Sequence, residues 1–296
     1  MKRRILAVLA AAALTASLGA GISPASAAEP TPTGATYVAI GDSVASGNGL
    51  LPYTDPSCLR SDKAYPSVLA GMLEVDLVSA ACSGAGTGPV AAQAAALAAA
   101  GALGGATQLV TITVGVNDLP WILALGACSN LGSYDLCQQA LGGLGQVGPG
   151  IAGGVATAIG TVRQAAPAAH IVVTGYPFLF GPFEGTCSVG AAGSGTPMKF
   201  EQPQAAMLDG AVSGLNYTVQ QGIALYQQAF FAQFGTWDTN IEYVDVTQAF
   251  AGHGLCGDDR WISGLVNGKK TVDRGFHPNV SGQQAYARTI AAALAS

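Results

Sequence analysis

Tyr37-Val38-Ala39-Ile40-Gly41-Asp42-Ser43-Val44-Ala45-Ser46-Gly47 runs from four apolar residues straight into a glycine-flanked Asp-Ser pair. Four consecutive apolar residues with no polar alternation describe a strand covered on both faces, the habit of parallel sheets. The Gly-Asp-Ser turn then ends the strand and opens a helix. Further along, short Val- and Ile-rich runs recur at Val75 to Ala81, Leu109 to Val116, Ile171 to Tyr176 and Ile241 to Val246. Helical stretches separate them, around Ala64 to Leu73, Pro89 to Ala100, Ile151 to Ala166, Gln204 to Phe234 and Ser281 to Leu294. Strands alternating with helices predict a doubly wound α/β fold in one domain. The Ala/Gly-rich segments 91–106 and 140–160 are read as helices with loose ends, because Ala at helical spacing packs well on a sheet. Segment 181–202 has no period and much Gly, and is read as a loop held by Cys187.

Composition narrows the function. Half of the 296 residues are apolar and 10% are charged, which excludes a disordered chain. The net charge is −5. Met1-Lys2-Arg3-Arg4, an apolar stretch from Ile5 to Ile22 and Ala25-Ser26-Ala27 have the three parts of a secretory signal peptide, read as residues 1–27 and cleaved after Ala27 or Ala28. An uncleaved anchor is the alternative, and the Thr, Ser and Gly content and Pro24 argue against it. Residues 28–35 form a polar linker, and 36–296 the single domain. Without its leader the chain carries 9 basic and 17 acidic residues, a net −8 that makes nucleic acid an improbable partner. Six cysteines in an exported chain imply disulfides, in any of 15 pairings; the absence of C-x-x-C leaves metal and redox motifs without support.

In an open parallel sheet, ligands bind beyond the carboxyl ends of the strands. Ser43 lies there after the first strand, where its hydroxyl projects from the sheet edge or simply caps a helix. Gly84, in Ala81-Cys82-Ser83-Gly84-Ala85-Gly86, offers a backbone N–H or is a turn glycine. Asn117, in Gly115-Val116-Asn117-Asp118, offers an amide or is a turn-forming residue. Of three histidines, His170 enters the fourth strand on the wrong edge, and His253 sits in a Gly-flanked loop, exposed or lining a cleft. His277 precedes the last helix, in Asp273-Arg274-Gly275-Phe276-His277-Pro278-Asn279, where Pro278 fixes the backbone.

These four segments, in this order and spacing, resemble the SGNH or GDSL-type hydrolases. With the six cysteines, Lys63-Ala64-Tyr65-Pro66 and Cys256-Gly257-Asp258-Asp259-Arg260-Trp261, the chain looks most like that family's secreted actinomycete lipases and esterases. The resemblance spans about residues 36–294. It implies a three-layer α/β/α, flavodoxin-like fold with a five-stranded parallel sheet. It also implies Ser43 as nucleophile, His277 as general base, and an oxyanion hole from the N–H groups of Ser43 and Gly84 with the Asn117 amide. Such an enzyme needs no cofactor or metal, and its pairings would be Cys58 with Cys82, Cys128 with Cys137 and Cys187 with Cys256. The family often has Asp three residues before the histidine, where this chain has Arg274, whose side chain cannot accept a hydrogen bond. A carbonyl of Arg274 or Gly275 is therefore expected to orient the ring, with Asp273 as runner-up.

Apolar residues follow three of the turns: Leu50, Leu51, Pro52 and Tyr53; Leu119, Pro120, Trp121 and Ile122; Phe178, Leu179, Phe180 and Phe183. They either line a trough for an acyl chain or pack beneath the loops. The expected substrate is a lipid or fatty-acyl ester, cleaved by a monomer that touches a lipid interface transiently. A carbohydrate or polyester esterase with the same site, and a non-catalytic secreted binding protein, are the other readings. A glycosidase built on Asp258 and Asp259 lacks the necessary separation.

Overall fold

The computed structural model describes residues 34–192, 195–265 and 275–296. The leader, most of the linker, Asp273 and Arg274 lie outside them. Five strands form one sheet: β1 (Tyr37–Gly41), β2 (Leu77–Ser79), β3 (Leu109–Thr113), β4 (His170–Thr174) and, last in sequence, β7 (Ile241–Val244). Their order is β2-β1-β3-β4-β7, and every pairing is parallel. β1 and β3 are buried throughout, as their unbroken apolar character requires. The buried threonines of this sheet stay hydrogen-bonded: Tyr37 to Thr111 at 2.8 Å, and Thr113 to both Tyr65 and Thr174 at 2.7 Å.

Helices cover both faces. The short α1 (Ser43–Ser46) follows β1, and α2 (Tyr65–Leu73) packs on α8 (Val280–Leu294). α3 (Thr87–Ala99) packs on α6 (Gly148–Ala165), and α6 on the long α7 (Gln202–Phe234). Between β1 and β2 the chain moves one way across the sheet, and into β3 it moves the other. That reversal opens a crevice between the carboxyl ends of β1 and β3.

Two expectations need correction. Segment 181–202 is not a structureless loop: β5 (Thr186–Ala192) and β6 (Thr196–Glu201) form an antiparallel pair. Cys187, Val189 and Ala191 point inward while Ser188 is exposed, a strand alternation written in residues too small to stand out against glycine. Phe200 of β6 anchors the pair against Phe180, ring centroids 4.7 Å apart. Segment 140–160 is likewise not one helix. α5 (Tyr134–Gly142) ends there, a single 3-10 turn intervenes, and α6 begins at Gly148. α4 (Trp121–Cys128) and α5 have no counterpart in the strand-and-helix pattern, because both are short and α5 buries little besides Cys137. The disulfides are Cys58–Cys82, Cys128–Cys137 and Cys187–Cys256.

Candidate active site

Gly41 ends β1 with φ +153°, and a Cβ there would lie 2.6 Å from the carbonyl oxygen of Thr113. Only glycine lets β1 turn so close to β3. Asp42 follows as the N-cap of α1, its Oδ1 accepting from Val44 N–H at 2.9 Å. Ser43 is therefore the first residue of a helix, where backbone N–H groups have no intrahelical acceptor.

His277 reaches Ser43 across 234 residues of sequence: its Nε2 lies 2.8 Å from Ser43 Oγ. Its Nδ1 lies 2.9 Å from the carbonyl oxygen of Gly275. A carbonyl can only accept, so Nδ1 carries a proton, and in the neutral ring Nε2 is the acceptor facing the serine hydroxyl. The histidine backbone is pinned as well. Phe276 N–H donates to Ser263 at 2.7 Å, and Ser263 N–H donates to the His277 carbonyl at 2.8 Å. These bonds hold Phe276 at φ +63°, a conformation that costs a non-glycine residue about 1–3 kcal/mol. Of the groups weighed for orienting the ring, the Gly275 carbonyl is in contact; Arg274 and Asp273 fall outside the described residues.

Gly84 and Asn117 stand at the same sheet edge and line one cavity with Ser43 and His277. Gly84 adopts φ +85°, which favours glycine, and its turn is held by three bonds: Cys82 N–H to Gly41 at 2.9 Å, Ser83 N–H to Cys58 at 3.0 Å and Asn48 Nδ2 to Ser83 Oγ at 3.1 Å. The Cys58–Cys82 bridge lies in that network. Asn117 spends one amide hydrogen on the Ala85 carbonyl at 3.1 Å, leaving the second for a ligand. Neither Ser43 N–H nor Gly84 N–H has a hydrogen-bond acceptor among the described residues. Asp118, next in sequence, caps α3 instead, accepting from the N–H and hydroxyl of Thr87, each at 2.9 Å.

Asp42 and Tyr176 emerge only from the structure. Asp42 is fully buried, and burial pushes its carboxyl up to about 7 even though the Tyr176 hydroxyl and the Val44 N–H favour its charged form. Tyr176 donates to Asp42 Oδ2 at 2.5 Å and lines the cavity beside Ser43. A tyrosine ending an apolar strand carries no sequence signal for such a contact.

The cavity holds about 510 Å³. Trp121 and Ile122 reach it from one of the apolar turns and Leu179 from another, joined by Leu125, Met198, Val212, Leu215 and Phe276. Leu50, Leu51, Pro52 and Tyr53 do not line it; Leu50 is buried, and the Tyr53 hydroxyl accepts from Gly49 N–H at 2.9 Å. Phe178, Phe180 and Phe183 pack into the core. The two readings of these residues thus divide by position. His170 bonds Glu242 at 3.0 Å at the opposite end of β4, and His253 stacks on Trp261 with ring centroids 3.6 Å apart, off the cavity lining.

The "Lipase" of Streptomyces rimosus is 29% identical over 283 residues, 95% of this chain and 94% of the relative. "Lipase 1" of Streptomyces coelicolor is 30% identical over 285 residues, 94% of this chain and 91% of the relative. Among solved structures, phospholipase A1 from Streptomyces albidoflavus NA297 superposes with a TM-score of 0.69 at 26% identity, covering 88% of this chain and 99% of its own. The extracellular lipase from Streptomyces rimosus also gives 0.69, at 28% identity, covering 87% and 98%. The profile of the GDSL-like Lipase/Acylhydrolase family matches residues 39–285, from within β1 to within α8. A match that begins beside the serine turn and continues past the histidine, on a sheet of the same build, leaves one assignment: the chain belongs to the GDSL-like lipase/acylhydrolase family and is a carboxylic ester hydrolase.

Proposed function

We propose that residues 36–296 form a single secreted hydrolase domain that cleaves lipid or fatty-acyl esters through an acyl-enzyme on Ser43. The observation that carries this reading is the 2.8 Å contact between Ser43 Oγ and His277 Nε2. A serine hydroxyl becomes a competent nucleophile when an adjacent imidazole takes its proton. His277 accepts that proton as Oγ attacks the ester carbonyl, and the Gly275 carbonyl stabilises the imidazolium through Nδ1–H. The oxyanion is held by the N–H groups of Ser43 and Gly84 and the Asn117 amide, each such donor being worth about 3 kcal/mol at the transition state. The alcohol departs with the proton from His277. Water then attacks the acyl-enzyme, giving its proton to His277, which returns it to Ser43 as the acid leaves.

The apolar lining contributed by Leu125, Met198, Val212 and Leu215 supports an acyl chain as the group bound there. Ile122 lines the cavity yet is 84% exposed, and its neighbour Leu123 is 72% exposed, which suits transient contact with a lipid interface at the mouth. Secretion is supported by the basic and apolar leader and by the three disulfides. No helix among the described residues is long and apolar enough to cross a membrane. The enzyme is read as a monomer.

Fluorophosphonate labelling tests the nucleophile: the wild type should be modified at Ser43, and Ser43→Ala and His277→Ala should not be. Hydrolysis across esters of about two to eighteen acyl carbons, with a phospholipid and an acetylated sugar, tests the substrate. A preference for acetyl esters would overturn the lipid assignment in favour of a carbohydrate esterase.

A further inference from the structure

Two of the proposed oxyanion donors, Ser43 N–H and the Asn117 amide, sit on different turns, one after β1 and one after β3. Their separation must be held to a few tenths of an ångström if both are to reach one oxygen. We propose that Tyr176 is the positioning residue that holds it, its hydroxyl bridging the two turns. That hydroxyl donates to Asp42 Oδ2 at 2.5 Å and accepts from Val116 N–H at 3.3 Å. Asp42 and Val116 immediately precede Ser43 and Asn117. One rigid phenol therefore touches the residue before each donor.

The strut is itself clamped. Asn216 of α7 accepts from Tyr176 N–H and donates to the Tyr176 carbonyl, both at 2.8 Å. Gly175 is held next to it, with its carbonyl accepting from the Tyr286 hydroxyl at 2.8 Å. Tyr176 as a residue is 5% exposed, so water has little access to replace its hydroxyl. Neither end of the bridge needs to touch substrate, and the hydroxyl acts through its partners.

This role rests on the assignment of Ser43 and Asn117 above, and its kinetic signature follows from where the oxyanion exists. The oxyanion forms only at the transition state, so slack between its donors lowers kcat and leaves KM alone. A residue that merely supported the fold would lower melting temperature without changing turnover per folded molecule.

The test compares Tyr176→Phe, Asp42→Asn and the double variant, with kcat and KM for a short-chain chromogenic ester normalised to folded protein. Each single variant is expected to lose about tenfold in kcat, with KM within about twofold, because each removes the buried hydrogen bond from Tyr176 to Asp42 Oδ2. The double variant is expected to lose little more than either single, because both cut the same bridge. Unchanged kcat in Tyr176→Phe, a change confined to KM, or losses that multiply in the double variant would each overturn the proposal. Ser43→Ala, measured alongside, separates the two levels. If it retains turnover, the nucleophile assignment is wrong; if it is inactive while Tyr176→Phe turns over normally, only the strut is wrong.

Discussion

Gln283 is the perturbation that most directly weighs how the two ends of the chain are joined. It is fully buried on α8 and bridges two backbone groups: its Oε1 accepts from Tyr65 N–H at 2.7 Å, and its Nε2 donates at 3.0 Å to the Val44 carbonyl, which also accepts from Gly47 N–H at 3.3 Å. Tyr65 N–H opens α2, and the Val44 carbonyl belongs to the helix of Ser43. Gln283→Leu keeps a side chain of similar reach, strands Tyr65 N–H in the core and leaves the Val44 carbonyl with Gly47 N–H alone. A stranded buried N–H costs about 2 kcal/mol and the lost bond to the Val44 carbonyl about 1, so the variant should lose about 3 kcal/mol. For a domain of this size that corresponds to a fall of about 7 °C in melting temperature. Gln284→Leu, at the exposed neighbouring position, is the matched control and should stay within about 0.5 kcal/mol of wild type. Thermal and urea unfolding followed by circular dichroism reads both. A fall of less than about 3 °C for Gln283→Leu would refute the reasoning, since it would mean Tyr65 N–H had found another acceptor.

Asp273→Ala should keep kcat/KM within about threefold of wild type, because His277 has one Nδ1 proton and Gly275 already accepts it; a thousandfold loss with an intact fold would restore Asp273 as the orienting group. Burial raises the Asp42 carboxyl from its ordinary 3.8 to about 7, so between those values the folded chain keeps a proton that the unfolded chain releases. Asp42 therefore adds stability at low pH that is lost as pH rises through that window, about 4 kcal/mol in all. Urea unfolding of wild type and Asp42→Asn at several pH values should show the variant lacking this decline, and parallel profiles would contradict it. Replacing cysteine pairs by serine should cost most for Cys187–Cys256, which closes 69 residues, and least for Cys128–Cys137, which closes 9, about 4 against about 2.6 kcal/mol by loop entropy; the reverse order in urea titrations would reject that ranking. Ile122→Ser with Leu123→Ser should lower activity on emulsified ester several-fold while sparing a soluble short-chain ester, and equal losses on both would place these residues in chain binding rather than interface contact.

Local patterning carries the sheet: β1, β3 and β4 are apolar over most of their length because both faces are covered, and that burial is legible one residue at a time. The serine turn and the Gly84 and Asn117 turns follow from the same logic, since a parallel sheet puts every strand's carboxyl end on one edge, whereas His277 follows no strand and is singled out by the family resemblance. Pattern could not reveal the β5–β6 pair, where Cys, Ala and Gly blur the alternation, nor α5, whose buried face is almost a single cysteine.

What the sequence determined by itself, then, is the succession of strands and helices and the residue types at the active edge, because apolar periodicity and turn chemistry act over a few residues. Tertiary structure alone brings the Gly275 carbonyl against His277 Nδ1, Tyr176 against Asp42 across 134 residues, and Gln283 of α8 against α1 and α2. Those contacts join groups whose hydrogen-bonding capacity is fixed by residue type while their partners are set by packing, and packing between distant elements leaves no period in the chain.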